Sequence, residues 1–251
     1  FCLRPENYET SRYRENLGQG VSTDDFLKHA DPNQLGNLSA LGKLSLRNKS
    51  IADVGAGGGA FLDHISGITA QQVAIEPTLT YHHSLSQRGF RVYQYVNDAL
   101  EHHANSMDIV VALQVVEHVQ DPVDFLRSLA KLLRPGGTLV VSTPNRDDIL
   151  MDLAKDVFPS FFYRTQHRWY FDISSLLFCG EISVGSNFKN LTVQHHHTLG
   201  LSNTFFWLRD GKPKGNTRLG PITEDADSFW SLFLRSNGRS DSLFLFAEKD
   251  T

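Results

Sequence analysis

A glycine-rich turn is the segment of the sequence with the clearest chemical potential. Residues 51–62 read Ile-Ala-Asp-Val-Gly-Ala-Gly-Gly-Gly-Ala-Phe-Leu, so an apolar run passes into glycines and then into a helical pattern. Gly55 and Gly57 allow a sharp turn and a close approach to a ligand because they have no Cβ atom. The helix predicted to start at Gly59 offers free N–H groups to an anionic group. Gly55, Gly57 and Ala60 also match the dinucleotide-binding pattern G-x-G-x-x-G/A, and a strand–helix turn without a ligand is a third interpretation.

An acidic residue at the end of the next apolar run predicts a second contact with the same ligand. Glu76 follows Gly55 by 21 residues and precedes Pro77. A carboxylate at this place can accept hydrogen bonds from both hydroxyls of a ribose, which suits nicotinamide dinucleotides and adenosyl compounds equally. Glu76 can also cap the helix that Pro77 begins, and the two roles are compatible.

Two further segments join a strand to a helix and carry polar residues. Asp98 and Ala99 follow the third predicted strand, where an acid can accept a hydrogen bond from an adenine amino group. Residues 107–122 end in Glu-His-Val-Gln-Asp-Pro, and the Asp-Pro pair is typical of a helix start. The Leu-Arg-Pro-Gly-Gly of residues 133–137 is typical of the end of that helix and the beginning of another strand.

The elements that position these residues alternate between strand and helix through the first 145 residues. Predicted strands cover residues 50–54, 72–75, 91–95, 109–113 and 138–142. Predicted helices cover residues 60–66, 79–88 and 122–133. This alternation predicts an α/β fold with a doubly wound parallel sheet, in which ligands bind at the carboxyl ends of the strands.

The composition changes after residue 150, where 12 of the 17 phenylalanines and all three tryptophans lie. Two more strands are predicted here, over residues 191–198 and 242–248, with a long loop between them over residues 209–221. The aromatic residues are interpreted as a core for the last strands or as the wall of a substrate pocket. One residue can serve both purposes.

Composition and charge exclude several classes of protein. A net charge of −4, without a long run of Lys and Arg, argues against nucleic acid as the main ligand. Apolar runs such as residues 109–113 are too short to span a membrane. The sequence has only two cysteines, Cys2 and Cys179, so a disulfide framework is not expected. We expect a reducing, cytoplasmic location instead. The chain begins with Phe1 and not with Met, so we expect its natural N-terminus to lie outside this sequence, and whether a leader belongs to it stays open.

Taken together, these motifs resemble the class I S-adenosylmethionine-dependent methyltransferases, and within them the group that contains the ubiquinone-biosynthesis O-methyltransferases. The resemblance is strongest over residues 50–145. Residues 162–171 and 207–215 are also similar to bacterial members that are assumed to modify sugars or surface glycans. A nicotinamide dehydrogenase, the less favoured alternative, is not expected to carry the Glu-His and Pro-Gly-Gly signatures together.

The resemblance implies a fold and a set of roles. The fold is a Rossmann-like, doubly wound, seven-stranded sheet whose last strand is antiparallel, with an aromatic-rich cap from the C-terminal half. One domain over residues 1–251 is expected, with a cofactor core at about 50–145, cap insertions within 146–240 and the last strand at 242–248. The cofactor is S-adenosyl-L-methionine, which is released as S-adenosyl-L-homocysteine.

The implied cofactor contacts follow the order of the strands. The two glycines of the turn lie under the methionine part, Glu76 holds the ribose, Asp98 and Ala99 bracket the adenine, and Leu113 and Gln114 face the methionine amino group. The cofactor-binding set is Asp53, Gly55, Ala56, Gly57, Glu76, Pro77, Asp98, Ala99, Leu113 and Gln114.

The implied reaction is methyl transfer to a hydroxyl or amine of a small molecule or glycan, with a sugar favoured. A histidine is the natural base for a hydroxyl acceptor, and His118 and His167 are the candidates beside a purely structural role. No metal site is expected, because only two side chains of the His195–His197 run can point the same way. A basic loop contains Arg209, Lys212, Lys214 and Arg218. It is interpreted either as a solvated surface loop or as a region that attracts an anionic acceptor such as a phosphosugar.

A second class of function stays open, in which the chain binds the cofactor without transferring methyl groups and serves as a partner or sensor protein. The intact motifs favour the enzyme. The sequence gives no expectation for the oligomeric state.

Overall fold

A computed structural model describes residues 22–42, 44–215 and 217–251 of the chain. Seven strands form one sheet. They are β1 (Ser50–Val54), β2 (Gln71–Ile75), β3 (Arg91–Tyr93), β4 (Met107–Leu113), β5 (Leu133–Pro144), β6 (Phe188–His196) and β7 (Ser242–Lys249). The strand order is β3-β2-β1-β4-β5-β7-β6, in which β1 to β5 pair in parallel and β7 is antiparallel to both of its neighbours. The predicted doubly wound sheet with an antiparallel last strand is therefore confirmed.

Helices lie between and around these strands. They are α1 (Thr23–Ala40), α2 (Ala60–Ile65), α3 (His82–Gln87), α4 (Val96–His103), α5 (Pro122–Leu132), α6 (Leu150–Leu153), α7 (Phe158–Phe162), α8 (Ile173–Val184), α9 (Leu201–Asp210) and α10 (Glu224–Ser236), with 3-10 turns at Leu79–Tyr81 and Gly185–Asn187. The start of α5 is fixed as predicted, because the Asp121 side chain accepts hydrogen bonds from the first turn and Pro122 occupies its first position. The predictions included neither α1 nor α4, α8 and α10.

The loop predicted over residues 209–221 overlaps the last two residues of a helix in the structure. Helix α9 continues through Asp210 and ends where Gly211 adopts a left-handed conformation with φ of +64°. Arg209 therefore lies in the last helical turn, where a positive charge interacts favourably with the helix dipole. Strand β5 also begins five residues before the predicted 138, because Leu133 already pairs with Met107 ahead of a register shift.

Two apolar layers cover the faces of the sheet. One contains Val73, Val110, Leu126 and Leu129, so β2, β4 and α5 contribute to it. The opposite layer contains Ile51, Leu62, Tyr81 and Val111. Burial on both faces explains why these strands are nearly continuous apolar runs. A third, separate cluster joins α6, α7 and α9 through Leu150, Ala154, Phe158, Phe162 and Trp207.

Candidate active site

A cavity of about 1360 Å³ lies at the carboxyl ends of the parallel strands, between α1, the loops after β1, β2 and β4, and the C-terminal half of the chain. Most of the predicted cofactor residues line it, namely Asp53, Gly55, Ala56, Glu76, Pro77, Leu113 and Gln114. Both candidate bases, His118 and His167, line it as well. Gly57, Asp98 and Ala99 do not. The structure thus brings most of the predicted residues together around one space.

The glycine turn has the backbone conformation that only glycine adopts readily. Gly55, Gly57 and Gly59 have φ of +82°, +54° and +87°. A Cβ atom at Gly55 would overlap Val115, and one at Gly57 would overlap the ring of Phe26 on α1. The absence of side chains is therefore required first by protein neighbours, and not only by the approach of a ligand that the sequence suggested.

Replacing Gly57 by alanine is expected to weaken both folding and ligand binding. The φ of +54° costs an alanine about 1–2 kcal/mol, and its methyl group would displace Phe26. The free energy of unfolding, measured by urea titration, should fall by at least that amount. Gly67→Ala is the matched control, because nothing lies within 4 Å of its added methyl group. Equal stability of the two variants would show that α1 is not seated on the turn.

Glu76 connects the glycine turn to the second strand. Its Oε2 atom accepts a hydrogen bond from the Gly57 N–H at 2.7 Å, and its Oε1 atom accepts one from the Thr78 N–H at 2.8 Å. The residue is 7% exposed and lines the cavity. Each carboxylate oxygen can accept a second hydrogen bond, so both remain able to receive a ribose hydroxyl. Gly57 does not itself line the cavity, but its N–H holds in place the carboxylate of Glu76, which does.

Asp53 places a second carboxyl group beside the first. Burial, together with the smaller effect of the neighbouring Glu76 charge, raises its pKa to about 7. Two adjacent carboxyl groups in a buried wall favour a ligand with positive charge, because such a ligand stabilises their ionised forms.

The adenine side of the site differs from the sequence expectation in its geometry. Asp98 is exposed and accepts a hydrogen bond from the Tyr95 N–H at 3.0 Å, which caps α4. Ala99 belongs to the same helix and is fully buried. Tyr95, which the sequence analysis did not single out, lines the cavity instead. The adenine role of Asp98 and Ala99 stays a prediction.

Gln114 ends β4 in a strained conformation. Its φ of +58° is uncommon for a residue other than glycine. The backbone N–H donates to the Ser142 carbonyl at 3.0 Å, and the side-chain Nε2 lies 3.2 Å from Ser142 Oγ. Strain of this kind persists where the surroundings hold it, and it is common at functional sites.

Helix α1 forms the roof of the cavity. The residues that face the cavity recur every three or four positions and are Phe26, His29, Ala30, Asn33, Gln34 and Asn37. The sequence analysis missed this face because most of it is polar, so it has no apolar periodicity. The ring of Phe26 also packs against Tyr81, with centroids 5.4 Å apart, which seats the roof on the core.

The opposite wall is aromatic. Phe158, Phe161, Phe162 and Trp207 line the cavity, and the Trp207 ring meets those of Phe158 and Phe161 at centroid distances of 5.1 and 5.0 Å. These four residues fit the pocket-wall interpretation, because they line the cavity and contact one another apart from the core of the last strands. Phe244, by contrast, is buried in the sheet core, and Phe229 is 71% exposed on α10.

The two histidines lie together between these walls. His118 and His167 have ring centroids 4.9 Å apart, although 49 residues separate them. His118 Nδ1 is 3.0 Å from the Gln166 carbonyl, so this nitrogen donates and Nε2 keeps a lone pair. Burial lowers the pKa of His118, and it lowers that of His167 to about 3. Both rings are therefore neutral near neutral pH.

Glu117 joins the histidines, and the sequence analysis had given it no role. Its Oε1 atom is 3.8 Å from His118 Nε2, whereas its buried Oε2 atom has no hydrogen-bond partner among the described residues. Burial raises the pKa of Glu117 to about 8. One ligand atom each from Glu117, His118 and His167 lie within 4.8 Å of one another, which is a donor set that could hold a metal ion. The expectation of no metal site did not consider this group.

Glu117 should make the stability of the protein depend on pH. Because its folded pKa of about 8 exceeds its ordinary 4.5, the folded state keeps a proton that the unfolded state loses between these pH values. Stability should thus fall as pH rises through this window, on the order of 1 kcal/mol per unit. The Glu117→Gln variant, compared by urea unfolding from pH 5 to pH 8, should lose less stability than the parent.

Asp53 and Asp148 have raised pKa values too, so part of the alkaline decline should persist in that variant. His167 acts in the opposite direction, because its lowered pKa makes stability fall as pH drops below the ordinary histidine value. Asp124→Asn, at an exposed position, is the control and should leave the profile unchanged. An identical profile for Glu117→Gln and the parent would contradict a buried, protonated Glu117.

The basic residues after α9 are mostly paired with acids. Arg209 and Lys214 both contact Asp210, at 2.6 and 3.1 Å. Arg218 contacts Glu224 at 3.3 Å and Asp227 at 3.2 Å. The solvated-surface interpretation accounts for these three cations, while an attraction of anionic acceptors stays a prediction.

The topology and the cavity at the carboxyl edge define an α/β methyltransferase-like fold. A model of the family described as "Methyltransferase domain" matches residues 27–180 of the chain. The chain therefore belongs to this family, the S-adenosylmethionine-dependent methyltransferases that its motifs resemble. No helix in the described part of the chain has both the length and the apolar character needed to cross a membrane.

Relatives with curated descriptions match somewhat less than half of the chain. A ubiquinone biosynthesis O-methyltransferase from Xanthomonas campestris is 38% identical over 120 residues, which is 45% of this chain and 50% of the relative. One from Xanthomonas oryzae is 36% identical over 132 residues, 49% of this chain and 54% of the relative. The chain spans about half the length of the curated relatives it matches.

Solved structures share the fold at low sequence identity. A possible histamine N-methyltransferase from Thermotoga maritima has a TM-score of 0.62 and 18% identity, with 96% of this chain and 97% of that chain covered. A phosphoethanolamine N-methyltransferase from Haemonchus contortus, solved with S-adenosylhomocysteine, has a TM-score of 0.53 and 13% identity, with 87% and 52% covered. These likenesses show the fold alone.

The residues of the cavity fit the cofactor of this family. S-adenosylmethionine carries a sulfonium and an ammonium charge, which complement the neighbouring carboxyl groups of Asp53 and Glu76. Its ribose hydroxyls need acceptors, and each Glu76 oxygen has capacity for one more hydrogen bond. The donor and acceptor chemistry of this wall thus agrees with the family.

Proposed function

We propose that the chain transfers a methyl group from S-adenosylmethionine to a hydroxyl or amine of a small molecule or glycan, with a sugar ring as the favoured acceptor. One observation carries the proposal. The carboxylate of Glu76, fixed against the glycine turn at 2.7 Å, lines the same cavity as an aromatic wall and two neutral histidines. A cofactor and an acceptor can therefore meet in one cavity.

The cofactor would be held by the wall formed at β1, β2 and β4. Glu76 would accept from the ribose, Asp53 would balance the positive charge, and the turn at Gly55 would pass beneath the methionine part. The remaining members of the proposed set are Ala56, Gly57, Pro77, Asp98, Ala99, Leu113 and Gln114. When bound, S-adenosylmethionine supplies an electrophilic methyl group, and the protein aligns the acceptor and excludes water.

His118 is the better of the two candidate bases. Its Nδ1 atom is engaged with the Gln166 carbonyl, so Nε2 is the atom that would receive a proton from an acceptor hydroxyl. Once it is ionised, above about pH 8, the Glu117 carboxylate would stabilise the resulting imidazolium through Oε1, which lies 3.8 Å from that nitrogen. His167 has the weaker claim, because its pKa near 3 makes it a poor proton acceptor.

The aromatic wall supports a ring-shaped acceptor. Phe158, Phe162 and Trp207 present apolar faces to the cavity, and such faces pack against either a sugar ring or a planar ring. The resemblance of residues 162–171 and 207–215 to glycan-modifying members favours the sugar.

Two measurements test the proposal. Calorimetric titration with S-adenosylhomocysteine should give saturable binding at one site, and the absence of heat with either form of the cofactor would refute it. Transfer of a radiolabelled methyl group into a lysate or glycan extract separates an enzyme from a protein that only binds the cofactor. Binding without transfer would favour the partner or sensor.

A further inference from the structure

We propose that the acceptor carries a protonated amino group, which Asp148 and Asp241 bind on the β5–β7 side of the cavity. The inference rests on the proposed function and names the substrate class of that site. Glu76 follows β2, whereas Asp148 follows β5 and Asp241 precedes β7. Three strand spacings between β2 and β5 amount to roughly 14 Å, so this is a subsite separate from the ribose contact.

Asp148 is a buried carboxyl group with unused hydrogen-bonding capacity. It is 4% exposed and lines the cavity. Its Oδ1 atom accepts from the Leu150 N–H at 2.8 Å, and the structure describes no donor to Oδ2. A side chain that is more than nine-tenths buried and has an unused acceptor in a cavity wall indicates a ligand.

Asp241 lies beside it and lacks a partner on one oxygen as well. Its Oδ2 atom accepts from the Thr198 and Leu199 N–H groups, at 2.9 and 3.0 Å. Its Oδ1 atom is buried and has no hydrogen-bond partner among the described residues. The two loops are joined, because the Asn145 N–H donates to the Asp241 carbonyl at 2.9 Å. Both carboxyl groups are thus held by backbone donors, and both have an oxygen to spare.

The basic groups near this pair donate no described hydrogen bond to its free oxygens. Arg239 forms an ion pair with Asp152, while its charge also lowers the pKa of Asp148 and its buried Nε atom has no hydrogen-bond partner among the described residues. His197 Nδ1 accepts a hydrogen bond from the backbone N–H of Asp241 at 3.1 Å, so it has no proton to give to the carboxylate. Within the described residues, no cationic side chain therefore donates a hydrogen bond to the free oxygen of either carboxyl group, and Arg239 acts on Asp148 through its charge alone.

An ammonium group satisfies this arrangement better than a hydroxyl group does. It offers three donors and a full positive charge, whereas a hydroxyl offers one donor and no charge. Burial, followed by the neighbouring charge of Asp241, raises the pKa of Asp148 to about 8 without a ligand. A cation would favour the ionised carboxylate, and an anionic group would meet repulsion.

The aromatic cluster indicates what kind of molecule carries this amino group. Leu150, whose N–H contacts Asp148, packs in the same cluster as Phe158, Phe162 and Trp207. Aromatic faces attract a nearby ammonium and pack against an apolar ring face. The acceptor is therefore a ring with an amino substituent. Because a protonated amine has no lone pair, the atom that is methylated is a different one.

The test compares amines with their hydroxyl counterparts. Protein saturated with S-adenosylhomocysteine is titrated calorimetrically with tyramine and tyrosol, and with glucosamine and glucose. We expect the amine of at least one pair to bind at least about tenfold more tightly than its counterpart. The proposal is overturned if no amine binds, or if amine and alcohol bind equally in both pairs.

Variants locate the effect. Asp148→Asn keeps the Oδ1 acceptor for Leu150 and should lose the preference for the amine, and Asp241→Asn should do the same. Asp147→Asn, at a half-exposed neighbour outside the cavity wall, should retain the preference. Retention of the preference in both of the first two variants would overturn the assignment.

The same titrations without the cofactor product separate this inference from the proposed function. Amine preference in a protein that does not bind S-adenosylhomocysteine would leave the subsite standing and remove the methyl transfer. Normal binding of S-adenosylhomocysteine with no amine preference would do the reverse.

Discussion

Replacing Glu76 by alanine is expected to weaken the binding of S-adenosylhomocysteine by more than tenfold. The substitution removes the carboxylate proposed to accept from the ribose, and hydrogen bonds to a charged group are each worth about 1.5–3 kcal/mol. It also removes the acceptors of the Gly57 and Thr78 N–H groups, at 2.7 and 2.8 Å, so the turn loses its support at the same time. A loss of about 1.4 kcal/mol already corresponds to tenfold.

The Glu76→Gln variant separates the contribution of the negative charge from that of the hydrogen bonds. It keeps one acceptor oxygen and the volume of the side chain but removes the charge, so its affinity should lie between those of the alanine variant and the parent. Calorimetry gives the dissociation constants, and thermal unfolding shows whether the turn itself has collapsed. Glu101→Gln, at an exposed position on α4, is the control. An affinity that is unchanged in the alanine variant would show that the ribose is held by other residues.

The part of the fold that local sequence patterns determine was predictable. Strands β1, β2 and β4 are buried on both faces, so their aliphatic runs are distinct from the helical segments between them. The glycine turn and Glu76 follow directly from such strands, and their place in the cavity needed only the rule that parallel strands end at one edge.

The glycine turn shows where such a prediction stops. That Gly55 and Gly57 need a positive φ is a local property, and the structure has that conformation. That Val115 and Phe26 occupy the space of the missing side chains depends on packing between distant segments. A local pattern contains no information about such neighbours.

The acceptor side could not be predicted for the same physical reason. Trp207 meets Phe158, and Asp241 approaches Asp148, only because the chain returns to the cavity after β6. The polar residues of α1 that face the cavity give no periodic apolar signal, so that roof was missed as well. Contacts between segments far apart in sequence set the shape of the cavity, and with it the choice of acceptor.

Replacing His118 by asparagine should lower the rate of methyl transfer to a hydroxyl acceptor by about 10²–10⁴, the usual contribution of a general base. Asparagine keeps an amide donor near the Gln166 carbonyl, which His118 Nδ1 now contacts at 3.0 Å, but it has no basic nitrogen in place of Nε2. The rate is measured as radiolabelled methyl incorporation at saturating cofactor. Binding of S-adenosylhomocysteine should be unchanged, because the loss is confined to proton transfer.

The pH profile separates this role from a structural one. Glu117 loses its proton at about pH 8, and the carboxylate then stabilises a protonated His118 at 3.8 Å, so the rate of the parent should rise across that pH. Glu117→Gln should flatten this rise without abolishing transfer. His167→Gln should lower the transfer rate less than His118→Asn does, because the pKa of His167 near 3 makes it a weak base. A full rate in His118→Asn would mean that the acceptor is already deprotonated, or neutral as an amine, when it reacts, since such an acceptor needs alignment and not a base.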